Sequence, residues 1–171
     1  MRLRRSRSRD AAQGSVIATR RSNTPAPDYV EHVGKPQDLL TLLPQADVIA
    51  VCVPLTAATE GMFNAEAFDA MKKGAYLINV ARGKIVETDA LMAALTTGSL
   101  ATGGALLDVT EPEPLPADHP LWTMKNVIIT PHVSSDAEVT EMRRLALMVE
   151  NMRRFGAGEP LLNVVDKQAG Y

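Results

Sequence analysis

Cysteine is almost absent. The single thiol, Cys52, lies inside an apolar, strand-like run, so neither a disulfide framework nor a cysteine-ligated metal site can be built. A surplus of one charge is also lacking: 18 Lys and Arg against 20 Asp and Glu leave a formal net charge of −2, which argues against a nucleic-acid binder overall. No apolar run approaches the roughly 18 residues that cross a bilayer, and the basic N-terminus is not followed by the apolar core of a secretory signal. A membrane partner is therefore not expected, and a cytoplasmic location is. Internal repeats are missing too. What is there is a chain of 171 residues, 46% hydrophobic, long enough for one domain with its own core.

The positive charge that exists is unevenly placed, with five arginines in the first nine residues. Residues 1–14, MRLRRSRSRDAAQG, offer almost no apolar side chains to set against the entropy of ordering them, which predicts a disordered basic arm. An organellar leader and a nucleic-acid tether are the functional alternatives for that arm.

From residue 15 onward short apolar runs alternate with helical patterns. Expected strands are 15–19, 29–33, 47–53, 75–81, 105–109 and 126–130. Between them, leucine spacing over 37–43 reads as a short helix stopped by Pro44, Asn64 caps a helix to Met71, and residues 88–97 form a helix ended by Gly98. The prolines of TEPEPLPADHPLW exclude regular structure there. Ser135 and Glu138 have capping-box spacing for a long helix to about residue 155, ended by Gly156. This alternation is the pattern of a Rossmann-like, doubly wound parallel α/β sheet with right-handed crossovers.

The centre of that pattern is AYLINVARGK, residues 75–84. Seven apolar or uncharged residues suit a strand buried on both faces, and they run into Arg82-Gly83 just past its carboxyl end. Ligands bind at that edge of an open α/β sheet. Because parallel strands point one way, Arg20, Thr56, Arg82, Asp108, Glu113 and His132 are expected to gather there. A guanidinium grips a planar carboxylate through two parallel hydrogen bonds. A histidine exchanges protons near neutral pH, and a neighbouring carboxylate selects its tautomer. Arginine, histidine and acid together suit oxidation of an alcohol beside a carboxylate. Taken singly, Arg82 reads as a solvated turn residue, Glu111 and Glu113 as loop charges, and His32, His119 and His132 as ordinary histidines.

Four strings, NVARGKIV, LDVTEPEPLPADHPLW, NVIITPH and ENMRRFGAGEPLLNVVD, in that order, closely resemble the D-isomer-specific 2-hydroxyacid dehydrogenases, which include phosphoglycerate dehydrogenases and glyoxylate/hydroxypyruvate reductases. The likeness runs from about residue 15 to the C-terminus. It implies an NAD(P)-dependent oxidoreductase acting on a 2-hydroxy or 2-keto acid, in a homodimer. It also implies that Arg82 binds the substrate carboxylate, His132 is the general acid/base and Glu113 is its acidic partner. Asp108 would contact the nicotinamide carboxamide, and Val53, Pro54, Thr56, Val80 and Ala81 would line the cofactor groove. Thr19, preceding the cations that follow the 15–19 strand, and Ser134, just past His132, complete the implied cofactor contacts.

Two departures limit this resemblance. The family's first strand and its G-x-G-x-x-G turn, which brings backbone N–H groups to a pyrophosphate, have no counterpart in the sequence. A missing central strand leaves its two neighbours with unpaired backbone edges unless another segment or another chain fills the gap. The expected organisation is thus a disordered arm over 1–14 and a partial NAD(P)-binding domain over 15–171, whose C-terminal helix and tail would return to an N-terminal substrate domain. Such a truncated member would be weak or inactive alone, or a non-catalytic binding or oligomerisation module. The second departure, TGGAL, is about two residues longer than the family spacing and could shift Asp108 and Glu113 relative to Arg82. For the cofactor, Arg20, Arg21 and Ser22 stand where an acidic residue would hold the ribose of NAD; cations and a hydroxyl suit a 2′-phosphate, so NADP is favoured over NAD.

Overall fold

Short apolar runs that end in proline or glycine become strands, and the leucine- and alanine-rich segments between them become helices. The computed structural model describes residues 2–5 and 14–168. The strands are β1 (Arg2–Arg5), β2 (Ser15–Thr19), β3 (Val30–Gly34), β4 (Val48–Val51), β5 (Tyr76–Asn79), β6 (Gly104–Leu107) and β7 (Val127–Ile129). The helices are α1 (Leu39–Leu42), α2 (Ala65–Asp69), α3 (Thr88–Thr96) and α4 (Glu138–Ala157). By contact the chain divides into two compact units, Met1–Pro131 and His132–Tyr171, so the expected domain over 15–171 falls across both.

The first unit is a seven-stranded sheet in the order β3-β2-β1-β4-β5-β6-β7. All neighbouring pairs are parallel except those made by β1, which runs antiparallel to both β2 and β4. This corrects two expectations. Residues 2–5 are a strand rather than part of a disordered arm, and the central position is filled by the chain itself; residues 1 and 6–13 of the expected arm lie outside the described residues. The cause is backbone pairing. The facing edges of β2 and β4 each carry unpaired N–H and C=O groups, and one buried group left without a partner costs about 1–3 kcal/mol. A four-residue segment satisfies both edges at once, with Leu3 at the register position of Ile17 and Ile49.

Buried positions alternate along the strands, with Ile17, Ile49, Val51, Leu77, Ala105 and Leu107 pointing to one face. Leucines of α1, Ala67 and Phe68 of α2 and Leu91, Ala94 and Leu95 of α3 join them in one core cluster. Phe63, Leu43, Ile85 and Leu100 are fully enclosed in it. On the opposite face Tyr76, Leu106 and Ile128 are exposed. Asn64 caps α2 as expected, its Oδ1 accepting from the Ala67 N–H at 3.1 Å. The proline loop is less irregular than predicted: Pro120–Thr123 winds into a 3₁₀ turn, because a proline at the first turn needs no hydrogen bond for its nitrogen.

The second unit is α4 with its flanks. The helix begins at Glu138 behind Ala137 rather than at a Ser135 capping box, and Ala137 makes no side-chain cap bond. Its end lies beyond Gly156, at Gly158, whose left-handed φ of 69° closes the helix. The tail folds back: the Asn151 amide donates to the Leu162 carbonyl at 3.1 Å and accepts from the Leu162 N–H at 2.8 Å. No residue of α4 is buried, and Val139, Met142, Leu145, Met148, Val149, Met152 and Phe155 are exposed. Among the described residues no helix is long and apolar enough to cross a membrane.

Candidate functional site

The carboxyl ends of β2, β4, β5 and β6 form one edge of the first unit, and the predicted residues of that unit fall along it. At β5, the turn that carries Arg82 is tied by the buried Asn79. Its Oδ1 accepts from the Ala81 N–H at 3.0 Å and its Nδ2 donates to the Arg82 carbonyl at 3.0 Å. The Arg82 side chain is exposed, and its Nη1 donates to the Ala81 carbonyl at 2.6 Å. Ala81 is buried and Val80 exposed, so any contact of Val80 with a ligand is made at the rim.

At β6, the adjacent strand, Asp108 is buried and its N–H donates to the Asn79 carbonyl at 2.9 Å. Asp108 Oδ1 accepts from Thr130 Oγ1 at 2.6 Å. The glycines of TGGAL are taken up at the start of β6, where a Cβ on Gly103 would lie 2.0 Å from the Ala75 carbonyl oxygen. Register is kept, with Leu107 opposite Asn79.

The loop bearing Glu113 is brought against the arginine turn by backbone contact. A Cβ on Gly83 would stand 1.9 Å from the Thr110 carbonyl oxygen, so only glycine lets the two loops meet. Thr88 Oγ1 then donates to the Glu111 carbonyl at 2.8 Å, fixing the same loop from α3. Glu113 is exposed, and the peptide bonds preceding Pro112 and Pro114 are cis.

At β4, Val53 and Thr56 are half-buried and Pro54 exposed. Thr59 folds this loop: its Oγ1 donates to the Pro54 carbonyl at 2.7 Å and accepts from the Thr56 N–H at 2.8 Å. At β2, Thr19 is buried, Arg20 half-buried, and Arg21 and Ser22 exposed. Arg20 Nε is buried and has no hydrogen-bond partner. Because β1 is reversed, its last residue, Arg5, pairs with Ser15 at the start of β2, at the opposite end from the carboxyl ends of β2 and β4.

His132 and Ser134 belong to the second unit. Both are exposed, and His132 has a left-handed backbone, φ 56°. A non-glycine residue in that region is uncommon and is held there by its surroundings. His32 and His119 stand apart from the edge residues in role: His32 is an exposed β3 residue, and His119 Nδ1 accepts from the Leu121 N–H at 3.2 Å to cap the 3₁₀ turn. Among the described residues no group of His, Cys, Asp or Glu could hold a metal ion.

Four structural supports were not read from the sequence: Asn79, Gly83, Thr59 and Thr130. Asn79 carried a signal, as the one amide in an apolar run. Gly83 carried another, since it follows the arginine directly. Thr59 and Thr130 carried none, because a threonine in a loop or after a strand is unremarkable until its partner is known.

A mostly parallel α/β sheet with polar residues collected past its parallel strand ends defines a Rossmann-like domain. Residues 6–134 match the family model for the NAD binding domain of the D-isomer specific 2-hydroxyacid dehydrogenases, and the chain belongs to that family. It is 44% identical over 131 residues to a glyoxylate reductase of Thermofilum pendens, a match covering 77% of this chain and 38% of that protein. It superposes with a TM-score of 0.82 and 42% identity on a D-isomer specific 2-hydroxyacid dehydrogenase from Xanthobacter autotrophicus Py2 in complex with NADPH and MES, over 91% of this chain and 62% of that one. With the NADPH-dependent glyoxylate/hydroxypyruvate reductase of Sinorhizobium meliloti, in complex with NADP and sulfate, the TM-score is 0.79 at 32% identity, over 91% and 49%. The chain spans about two-fifths of the length of the curated relatives it matches.

Proposed function

We propose that this chain is the cofactor-binding part of an NAD(P)-dependent D-2-hydroxyacid dehydrogenase acting on a small 2-hydroxy or 2-keto acid, and that alone it is weakly active or inactive. The observation that carries the reading is the backbone contact of Gly83 with Thr110, which sets the Arg82 turn and the Glu113 loop side by side at the ligand edge of a family sheet. Arg82 has guanidinium N–H groups beyond the one given to Ala81, enough for a two-pronged grip on a substrate carboxylate. His132 would move the proton at the substrate oxygen, and Glu113 would hold its imidazole in the working tautomer. Asp108, with Thr130 as donor to one oxygen, would orient the nicotinamide carboxamide. Val53, Pro54, Thr56, Val80, Ala81 and Ser134 would line the groove.

The cofactor would supply or accept hydride, and the residues fit its two ends unequally. Arg20 Nε, a buried donor without a partner, fits an anion at the adenosine end, with Thr19, Arg21 and Ser22 beside it. This supports NADP over NAD. The pyrophosphate has no glycine-rich turn to hold it. Weak binding and little turnover follow.

The test is a chimera in which residues 15–134 replace the matched segment of the Thermofilum pendens glyoxylate reductase. NADPH-dependent glyoxylate reduction is expected, with H132Q lowering kcat on the order of 100-fold or more. R82Q is expected to lower kcat/KM on the order of 100-fold. Full activity in either variant would refute the assigned roles. For the chain alone, rapid oxidation of NADPH by glyoxylate or hydroxypyruvate would refute the claim of weak activity.

A second reading, a non-catalytic oligomerisation module acting as a homodimer, is favoured by one observation: the apolar residues of α4 are exposed, with Met152 at 74% and Phe155 at 80%. Light scattering after size exclusion decides it. A dimer supports this reading, and a monomer with a two-state melt removes it.

A further inference from the structure

We propose that Lys35, at the end of β3, is a second specificity-determining cation for the 2′-phosphate of NADP, acting with Arg20 from the end of β2. The inference rests on the NADP reading above and adds a residue from a different strand. The two strand ends are joined by the Arg20 N–H donating to the Gly34 carbonyl at 3.1 Å. Beside that joint lies a depression of about 180 Å³ lined by Arg20, Ser22, Asn23, Thr24, Gly34 and Lys35.

Several donors around it are left open to an anion. Asp38 Oδ2 accepts from the Lys35 N–H at 2.7 Å, which fixes the Lys35 backbone and occupies that carboxylate oxygen. The Lys35 ammonium turns across to the β2 loop and donates to Asn23 Oδ1. An ammonium has three donors, so two remain after this bond. Thr24 Oγ1 donates to Ser22 Oγ at 3.3 Å, which leaves the Ser22 hydroxyl proton for another acceptor. Arg20 Nε is buried without a partner, an arrangement that costs free energy until an acceptor arrives. Two cations and one hydroxyl proton line this space, Arg20 Nε lies buried without a partner beside it, and among the described residues no carboxylate lines it. A dianionic phosphate ester supplies acceptors for these donors; a bare ribose hydroxyl supplies no charge.

Calorimetric titration of the full chain with 2′,5′-ADP and with 5′-AMP tests this without turnover. Wild type is expected to bind 2′,5′-ADP more tightly. K35Q is expected to weaken 2′,5′-ADP on the order of tenfold while 5′-AMP changes less than about twofold, and K35R is expected to restore most of the loss. Lys35 is exposed, so the substitutions leave the core intact. If K35Q binds 2′,5′-ADP like wild type while R20Q loses it, the role of Lys35 is overturned and the NADP reading stands. If wild type binds the two nucleotides equally, both are overturned.

Discussion

Asn79 decides the shape of the arginine turn. It is 1% exposed, and both ends of its amide are paired within the turn. Asn79→Ala is expected to destabilise the fold by about 1–3 kcal/mol, since it orphans the Ala81 N–H and the Arg82 carbonyl. Urea unfolding measures that loss, and an unchanged midpoint would mean the turn is held by other means. The legibility of the site follows the same division. Arg82 and His132 stand out as candidates by residue type and strand end, whereas Asp108 and Glu113 take their proposed roles from the family resemblance. Of the groups that hold them, Asn79 and Gly83 left a signal without a role, and Thr130 left none, because it matters only through Asp108. Sequence order likewise said nothing of the boundary that separates His132 and Ser134 from the other candidates.

At the scale of elements, five of the parallel strands were legible as apolar runs with a clear stop, and β3, VEHVG, only as a short segment between turns. The strand β1 was not. RLRR carries no apolar alternation, and its extended conformation is imposed by the two edges it bridges. Hydrogen exchange is the matching measurement: the amides of β1 are expected to be protected together with those of β2 and β4, and exchange of β1 at the free-peptide rate would contradict the pairing. The ends of α4 were misplaced for a related reason, since Gly158 and not Gly156 adopts the left-handed conformation. That end also carries a charge network. Glu150 accepts from Arg153 and from Arg154, and Arg153 also reaches Glu159 at 2.6 Å.

Hydrogen bonds from Arg153, then Arg154, hold the Glu150 carboxyl down at about 2, against an ordinary value of 4.5. The Arg153 guanidinium is pushed upward in turn, first by Glu159 and then by Glu150. A carboxyl depressed in the folded state stabilises fully above its unfolded value and loses that contribution as pH falls. The last turns of α4 are therefore expected to loosen between about pH 4.5 and 2. The group is exposed, so the effect is small and weakens with salt. Far-ultraviolet circular dichroism should show this acid-dependent loss in wild type and not in Glu150→Gln; identical titrations would contradict the assignment.

In the first unit the core lies on one sheet face, with Tyr76, Leu106 and Ile128 exposed on the other, and the apolar residues of α4 in the second unit are exposed. Leu77 is fully enclosed, so Leu77→Ala is expected to cost about 2–5 kcal/mol, a large share of a typical domain's stability. A loss below about 1 kcal/mol would mean that the sheet is not packed as described. Beyond stability, the proposed reading gives the chain the residues for one cofactor end, while the sequence has no G-x-G-x-x-G turn for the pyrophosphate. Such a protein should fold by itself and still respond to a nucleotide, more to one carrying a 2′-phosphate.

Thermal melting of the isolated chain, titrated in parallel with NADPH and NADH, tests that claim most directly. The expected result is a cooperative melt whose midpoint rises with NADPH and rises less with NADH; saturation to ten times Kd adds about 1.4 kcal/mol. A chain without a cooperative transition, or a midpoint unmoved by either nucleotide at millimolar concentration, would contradict it.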